Sequence, residues 1–387
     1  MMWTRRKLIK QGLAGSGLLL LPGNLCLGQT SRRRIVLVEL SGANDGLNTV
    51  VPYSHPKYRK IRPRIALKED ELILLDKDHA LHSALRPLMK SWDQGELAII
   101  HGLGYPSPNR SHFKSIALWE TGGDGTKIGK SGWLTGDLER SGIKNPDAHG
   151  ISLGGGMGPF QSSGGIWLSM NSTGQFEKLS DIKLKAGLKV EHPALEMVLD
   201  RTHTLNEAMV SISGKLRRVR YKQIRIHWGE LGEQLQHAAL LMSADVNTPA
   251  IKVTLGGFDT HENQPWRHRD LLKQLAKSLQ AFRKQLIREG LWKDTIIMTY
   301  SEFGRRAEDN HSFGTDHGTA APHFMMGGAI KGGFYGEHPD LEDLDNGDLK
   351  YTMDYRAVYE SLLSQWFGIQ SNNFERFRDS RLMDFLT

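Results

Sequence analysis

Cysteine is almost absent from this chain, whose 387 residues hold one, Cys26. A single thiol closes no intrachain disulfide and builds no multi-thiolate zinc site. Long apolar runs are also scarce. The stretch ending at Leu18-Leu19-Leu20-Leu21 is stopped by Pro22 and Gly23, short of the roughly 20 residues that a membrane-spanning helix needs. The glycine run Gly154-Gly155-Gly156-Met157-Gly158 lacks the Gly-Lys-Ser/Thr ending of a phosphate-binding loop, so it reads as an ordinary loop. Few aromatics interleave the basic cluster Lys215, Arg217, Arg218, Arg220, Lys222 and Arg225. That cluster reads as a solvated helix face, and no nucleic-acid partner is expected.

The N-terminus is read as a targeting segment. Thr4-Arg5-Arg6-Lys7-Leu8-Ile9-Lys10 has the form of a twin-arginine export signal, with cleavage expected after Gly28. The division is then residues 1–28 as signal peptide and 29–387 as one domain, periplasmic or secreted. The twin-arginine translocase is the expected partner during export. Cleavage removes Cys26, and Gly23-Asn24-Leu25 before it is a poor lipidation signal, so no stable membrane anchor is expected. The formal charge of +7 includes Arg5, Arg6, Lys7 and Lys10; without these four the mature chain carries about +3, which gives no case for a polyanion partner.

What is present is a repeated arrangement of a strand-like run followed at once by polar, ligand-type residues. Arg34 to Leu40 is a short continuous apolar run ending in Ser41-Gly42-Ala43-Asn44-Asp45. Leu97-Ala98-Ile99-Ile100 leads through a proline-containing loop to Asn109-Arg110-Ser111-His112, where a helix over His112 to Glu120 is predicted. Residues 121–165 read as loops and short elements, 191–245 as helical, and the acidic stretch Glu337 to Asp348 as a solvated loop. Ile251 to Leu255 reads as a strand ending in Gly256-Gly257-Phe258-Asp259-Thr260-His261. The helix after it carries Leu272, Leu275, Leu279, Phe282 and Leu286 at helical spacing and stops at Gly290. Thr295 to Tyr300 is the next strand, followed by Ser301-Glu302. This βαβ unit puts both carboxyl strand ends on one edge, bringing Asp259, His261 and Glu302 together. An amphipathic helix over Tyr355 to Phe367 closes the chain.

Acids and histidines in one place suit a divalent metal, zinc or manganese, as one or two ions. The candidate ligands are Asp45, Asp259, His261, Glu302, Asp316, His317 and His323. Each has a plainer alternative: Asp45 as an Asx-turn residue, Glu302 as a partner of Arg305 or Arg306, His323 as a core or supporting histidine. Ser111, at a helix start, is the candidate nucleophile, or an ordinary N-cap serine. Arg110 and His112 flank it as further catalytic candidates, and Arg110 or Arg305 is expected to steady an oxyanion.

Gly-Gly-Phe-Asp-Thr-His, Ser-Glu-Phe-Gly-Arg-Arg, Thr-Asp-His-Gly and Asn-Arg-Ser-His-Phe, behind a twin-arginine signal, resemble the bacterial DUF1501 family, which is grouped with the alkaline phosphatase/sulfatase superfamily. The resemblance implies a three-layer αβα sandwich with a mostly parallel central sheet, alkaline phosphatase-like, and a metal site at its carboxyl edge. It places Asp45 as the acid after the first strand and Ser111 as the nucleophile. Where the superfamily carries Asp-His after a late strand, this chain has Glu302-Phe303, so a two-metal set is incomplete unless Asp316-His317 supplies it. Pro106 stands where a sulfatase carries the residue converted to formylglycine, which disfavours that branch.

The leading functional expectation is an exported metal-dependent hydrolase of phosphate esters or related anionic esters. Its substrate would be a small anionic ester or an envelope polymer, attacked by Ser111 or metal-bound hydroxide. A non-catalytic envelope protein with a structural metal is the alternative, and a sulfatase-like hydrolase a further one. A serine esterase ranks last, because no Gly-x-Ser-x-Gly elbow is read.

Overall fold

The computed structural model describes residues 33–180, 192–219, 223–338, 340–378 and 384–387. The export signal, Cys26, the cleavage point, Arg220 and Lys222 lie outside the described residues.

A nine-stranded sheet forms the middle layer. Its strands are β1 (Arg34–Leu40), β2 (Leu97–Gly104), β3 (Gly150–Leu153), β4 (Trp167–Met170), β5 (Ala250–Leu255), β6 (Thr295–Tyr300), β7 (Ala321–Gly327), β8 (Gly333–Tyr335) and β9 (Met353–Asp354). The spatial order is β8-β2-β7-β6-β1-β5-β3-β4, with β9 paired to β2. All neighbours run parallel except β7, which is antiparallel to both β2 and β6. β1 therefore sits between β5 and β6, and the three run in one direction. The carboxyl ends of three chain-distant strands meet at one edge.

Alternation along β1 feeds two cores. Val36, Val38 and Leu40 face one; Ile35 and Leu37 face the other. The first core is covered by helices α4 (Pro193–Arg218), α5 (Gly229–Ser243) and α6 (Gln264–Arg288). On α6 the buried stripe is the predicted one, Leu272, Leu275, Leu279, Phe282 and Leu286. The second core is covered by α1 (His112–Thr121), α2 (Thr135–Arg140) and α7 (Tyr355–Ser361); α3 (Thr173–Ser180) packs beside α4. This is the expected three-layer αβα sandwich. No helix among the described residues is long and apolar enough to cross a membrane.

Three local readings change. Gly150-Ile151-Ser152-Leu153-Gly154 does spell Gly-x-Ser-x-Gly, but Ser152 is fully buried in mid-strand and forms no strand-to-helix elbow. The acidic stretch is not all solvated loop: Leu344–Asp345 and Asp348–Leu349 pair as a hairpin that buries Asp348. The expected C-terminal helix ends at Ser361 and continues to Trp366 as a wider π-turn.

Leu279 lies under the sheet with no exposed surface. Leu279→Ala should lower unfolding free energy by about 2–5 kcal/mol through lost burial and a cavity. Urea denaturation checks this, and a loss under 1 kcal/mol would contradict the packing described.

Candidate metal centre

The loop after β1 turns sharply. Gly42 has φ +109°, and a Cβ there would lie 2.4 Å from the Asp259 backbone nitrogen. Only glycine lets the loop after β1 press against the loop after β5. Glu302, immediately beyond β6, spans the same gap: its Oε1 accepts from the Gly42 N–H at 3.0 Å.

Four side chains converge beside this junction. His112 and His317 bring their Nε2 atoms to 3.0 Å from each other. Asp259 Oδ1 lies 3.4 Å from His317 Nε2 and 3.6 Å from His112 Nε2. His261 Nε2 lies 2.9 Å from His317 Nε2 and 3.1 Å from Asp259 Oδ1. The Asp259–His317 edge is thus shared by two triangles of donor atoms, one completed by His112 and the other by His261. Zinc bonds of 2.0–2.1 Å to nitrogen imply donor-to-donor edges of roughly 3.3 Å in a tetrahedron. The observed edges bracket that value. The donor atoms of His112, Asp259 and His317 all lie within 4.8 Å of one another, close enough to share an ion.

The other ring nitrogens decide what these contacts are. His317 Nδ1 lies 2.9 Å from the Arg110 carbonyl oxygen, which can only accept, so Nδ1 carries the proton. His112 Nδ1 is 2.6 Å from Glu302 Oε1, and His261 Nδ1 is 3.1 Å from Asp316 Oδ1. In each neutral ring the proton sits on Nδ1 and a lone pair sits on Nε2. Three lone pairs and a carboxylate pointing at one another repel. A cation among them removes the conflict, and imidazoles held from behind by carboxylates or carbonyls are the usual support for metal-bound histidine. The donor set of nitrogen and oxygen without sulfur fits zinc or manganese.

Local charges agree. Burial works to raise the Asp259 carboxyl, but the Arg305 guanidinium, 2.7 Å away, outweighs it and holds the group below its ordinary range. The Glu302 hydrogen bond raises His112 above the usual imidazole value, so protons and a cation compete for its Nε2. Burial lowers His317, keeping its lone pair available at neutral pH.

The predicted site residues divide into three groups. Asp259, His261 and His317 supply donor atoms. Glu302 and Asp316 lie behind the rings, each with a carboxylate oxygen on an Nδ1–H rather than among the Nε2 atoms. Asp45 and His323 do not join the cluster. Asp45 is fully buried, with Oδ2 2.6 Å from Arg62 Nη1 and 2.5 Å from Gln264 Nε2, while Oδ1 accepts from Leu47 N–H. Burial favours its neutral form, but Arg62 prevails and keeps it ionised, leaving no oxygen for a metal. His323 lies on β7 in the core, its ring 5.3 Å from Trp119, and burial pushes its pKa down to about 3.

The catalytic candidates shift as well. His112, read from sequence only as a flanking residue, is a donor; its place at the first position of α1, on the loop leaving β2, was the available signal. Ser111 is exposed at the N-cap of α1 and makes no capping bond with its side chain. Arg110 binds Asp348 with its guanidinium and His317 with its carbonyl. Arg305 cannot steady an oxyanion: it is buried, and its nitrogens are taken by Ala43, Thr315, Gly42, Phe258 and Asp259.

Glu302→Ala removes the acceptor behind His112 without removing a donor atom. Zinc affinity should fall about 10–100-fold, measured by competition with a chromogenic chelator. Unchanged affinity would contradict the supporting role.

Several solved structures are similar to this chain at low identity. A lipoteichoic acid synthase, LtaP, from Listeria monocytogenes is 10% identical, with 90% of this chain and 75% of that chain covered and a TM-score of 0.37. The C-terminal periplasmic domain of EcEptC from Escherichia coli is 8% identical, with 90% and 85% covered and a TM-score of 0.37. A protein in the alkaline phosphatase superfamily from Vibrio parahaemolyticus is 10% identical, with 80% and 63% covered and a TM-score of 0.35. Likeness at this level informs neither substrate nor mechanism. No curated protein matches the chain. The family model described as "Protein of unknown function (DUF1501)" matches residues 179–376, 198 of the 387. That half contains Asp259, His261, Glu302, Asp316 and His317, and the chain belongs to the DUF1501 family.

Proposed function

We propose that this protein is an exported, metal-dependent hydrolase of phosphate esters or related anionic esters. One observation supports it most: the Nε2 atoms of His112 and His317 and the Asp259 carboxylate converge on the carboxyl edge of the sheet, with His261 Nε2 beside them and each Nδ1–H turned away into a fixed acceptor. His112, Asp259 and His317 would hold a single cation, zinc or manganese, with His261 beside them and a fourth position left open. Such a cation supplies Lewis acidity toward an ester oxygen and lowers the pKa of bound water.

The chain's own residues set the geometry. Glu302, Asp316 and the Arg110 carbonyl fix the three rings. Arg305 keeps Asp259 ionised. Ser111, one residue before His112, is the candidate nucleophile, since its hydroxyl is exposed and spends no bond on capping. Arg110, with a side chain 42% exposed, adds positive charge beside it. The substrate would reach an open site, for the side chains of Asp259 and His261 are 48% and 42% exposed. Twin-arginine export of the folded, metal-loaded chain fits this reading.

A second reading has its own observation. His261 Nε2 lies 2.9 Å from His317 Nε2; four protein donors would close a tetrahedron, and closed sites are structural, whereas catalytic zinc keeps one position open. If His261 joins the other three on one ion, the centre suits a non-catalytic envelope protein.

Elemental mass spectrometry on residues 29–387 should find about one zinc or manganese per chain, lost in the Asp259→Ala/His261→Ala variant. The loaded protein should hydrolyse members of a phosphate and sulfate ester panel, with Ser111→Ala slowed. Metal without turnover on any ester would favour the structural reading. A folded protein with no metal would defeat both.

A further inference from the structure

Behind the donor atoms lies a buried side chain with no part in the chemistry above. Gln264 opens α6 and has no exposed surface. Its amide oxygen accepts two hydroxyl protons, from Thr260 Oγ1 at 3.0 Å and from Thr315 Oγ1 at 2.7 Å. Both threonines are fully buried as well. Thr260 stands between Asp259 and His261, and Thr315 two residues before His317. One oxygen atom therefore joins two of the loops that bring donors to the metal centre.

The direction of this amide is fixed from its other end. Asp45, kept ionised by Arg62, can only accept, so it faces the amide nitrogen, with Oδ2 2.5 Å from Gln264 Nε2. The amide oxygen is then turned to the threonines. It has two lone pairs and each hydroxyl has one proton, so every group is matched. A flipped amide would set its oxygen against a buried carboxylate, which low-dielectric surroundings make costly.

The place of the amide is fixed by the helix. The buried stripe of α6, from Leu272 to Leu286, locks it into the core. The Gln264 N–H also donates to the Phe313 carbonyl at 2.8 Å, on the segment leading to Thr315. Arg305 and the bond from Thr315 N–H to the Thr260 carbonyl tie the loops to each other through their main chains. Gln264 ties both to the helix layer through a side chain. Metal donors tolerate errors of only about 0.2 Å in bond length, so slack of about 0.5 Å between these loops is enough to weaken a site.

Building on the metal-centre reading, we infer that Gln264 is a positioning residue. It sets the separation of Asp259 and His261 from His317, and Asp45 acts through it by orienting its amide. The acid after the first strand thereby serves the centre at one remove, without touching the ion.

Zinc affinity of the full mature chain, measured by chelator competition, tests this. Gln264→Met keeps the length of the side chain and loses the amide. It should bind zinc about tenfold more weakly, the low end of the range for groups that support ligands from behind. Thr315→Val removes one hydroxyl, keeps the shape, and should also weaken zinc. The two together should cost little more than Gln264→Met alone, because both cut one link. Leu279→Ala, which loosens the core far along α6, should leave zinc affinity unchanged. Thermal melts confirm folding; should Gln264→Met not fold, Thr260→Val takes its place in the pair. Unchanged affinity in the folded variants, losses that add in full, or an equal loss in Leu279→Ala would each overturn the inference and leave the metal centre standing. A wild-type chain that binds no zinc would defeat the metal centre, and this inference with it.

Discussion

Arg305 is a buried cation set among backbone oxygens. Its guanidinium donates to Gly42 and Ala43 after β1, to Phe258 after β5, and to Thr315 just before His317, and it pairs with Asp259. Loops from three regions of the chain are thereby held by one side chain. Such a charge is tolerable in the interior because each of its three nitrogens finds an acceptor and one acceptor is ionised. The donor cluster sits where this side chain and two backbone bonds, Thr315 N–H to the Thr260 carbonyl at 3.2 Å and Gln264 N–H to the Phe313 carbonyl at 2.8 Å, hold the loops of Asp259 and His317 together.

The second constraint is the direction of each imidazole. A histidine can present either nitrogen, and the choice is made by what binds the other one. Here Glu302, Asp316 and the Arg110 carbonyl make the choice three times, with the same result. The sheet supplies the common edge, Arg305 draws the loops together, and the three acceptors aim the lone pairs.

Much of this arrangement was legible in the sequence. The runs Arg34–Leu40 and Thr295–Tyr300 are strands with the expected bounds, and the α6 stripe is buried as its spacing requires. Parallel strands with polar residues at their ends were enough to bring Glu302 to the same edge as Asp259 and His261, where it bonds the His112 ring that faces Asp259. Long-range partners were not legible. Asp45 follows a strand just as a ligand would, but Arg62, far away on another turn, neutralises it. Glu302 carries a ligand's chemistry and is set one bond back, because His112 reaches the space first. The strand containing His323 was missed because Pro322 interrupts it; the proline sits where the pairing with β2 shifts register, as prolines in sheets do. His112 was overlooked as a donor because its neighbour Ser111 drew the chemical reading.

The central claim is that histidine and aspartate donors share one cation. X-ray absorption at the zinc edge of metal-loaded protein tests it most directly. Zinc held this way shows a first shell of nitrogen and oxygen at about 2.0–2.1 Å, with the outer-shell scattering of two or three imidazole rings and one fewer ring in His112→Ala. A shell lacking imidazole scattering, or one unchanged in that variant, would contradict it.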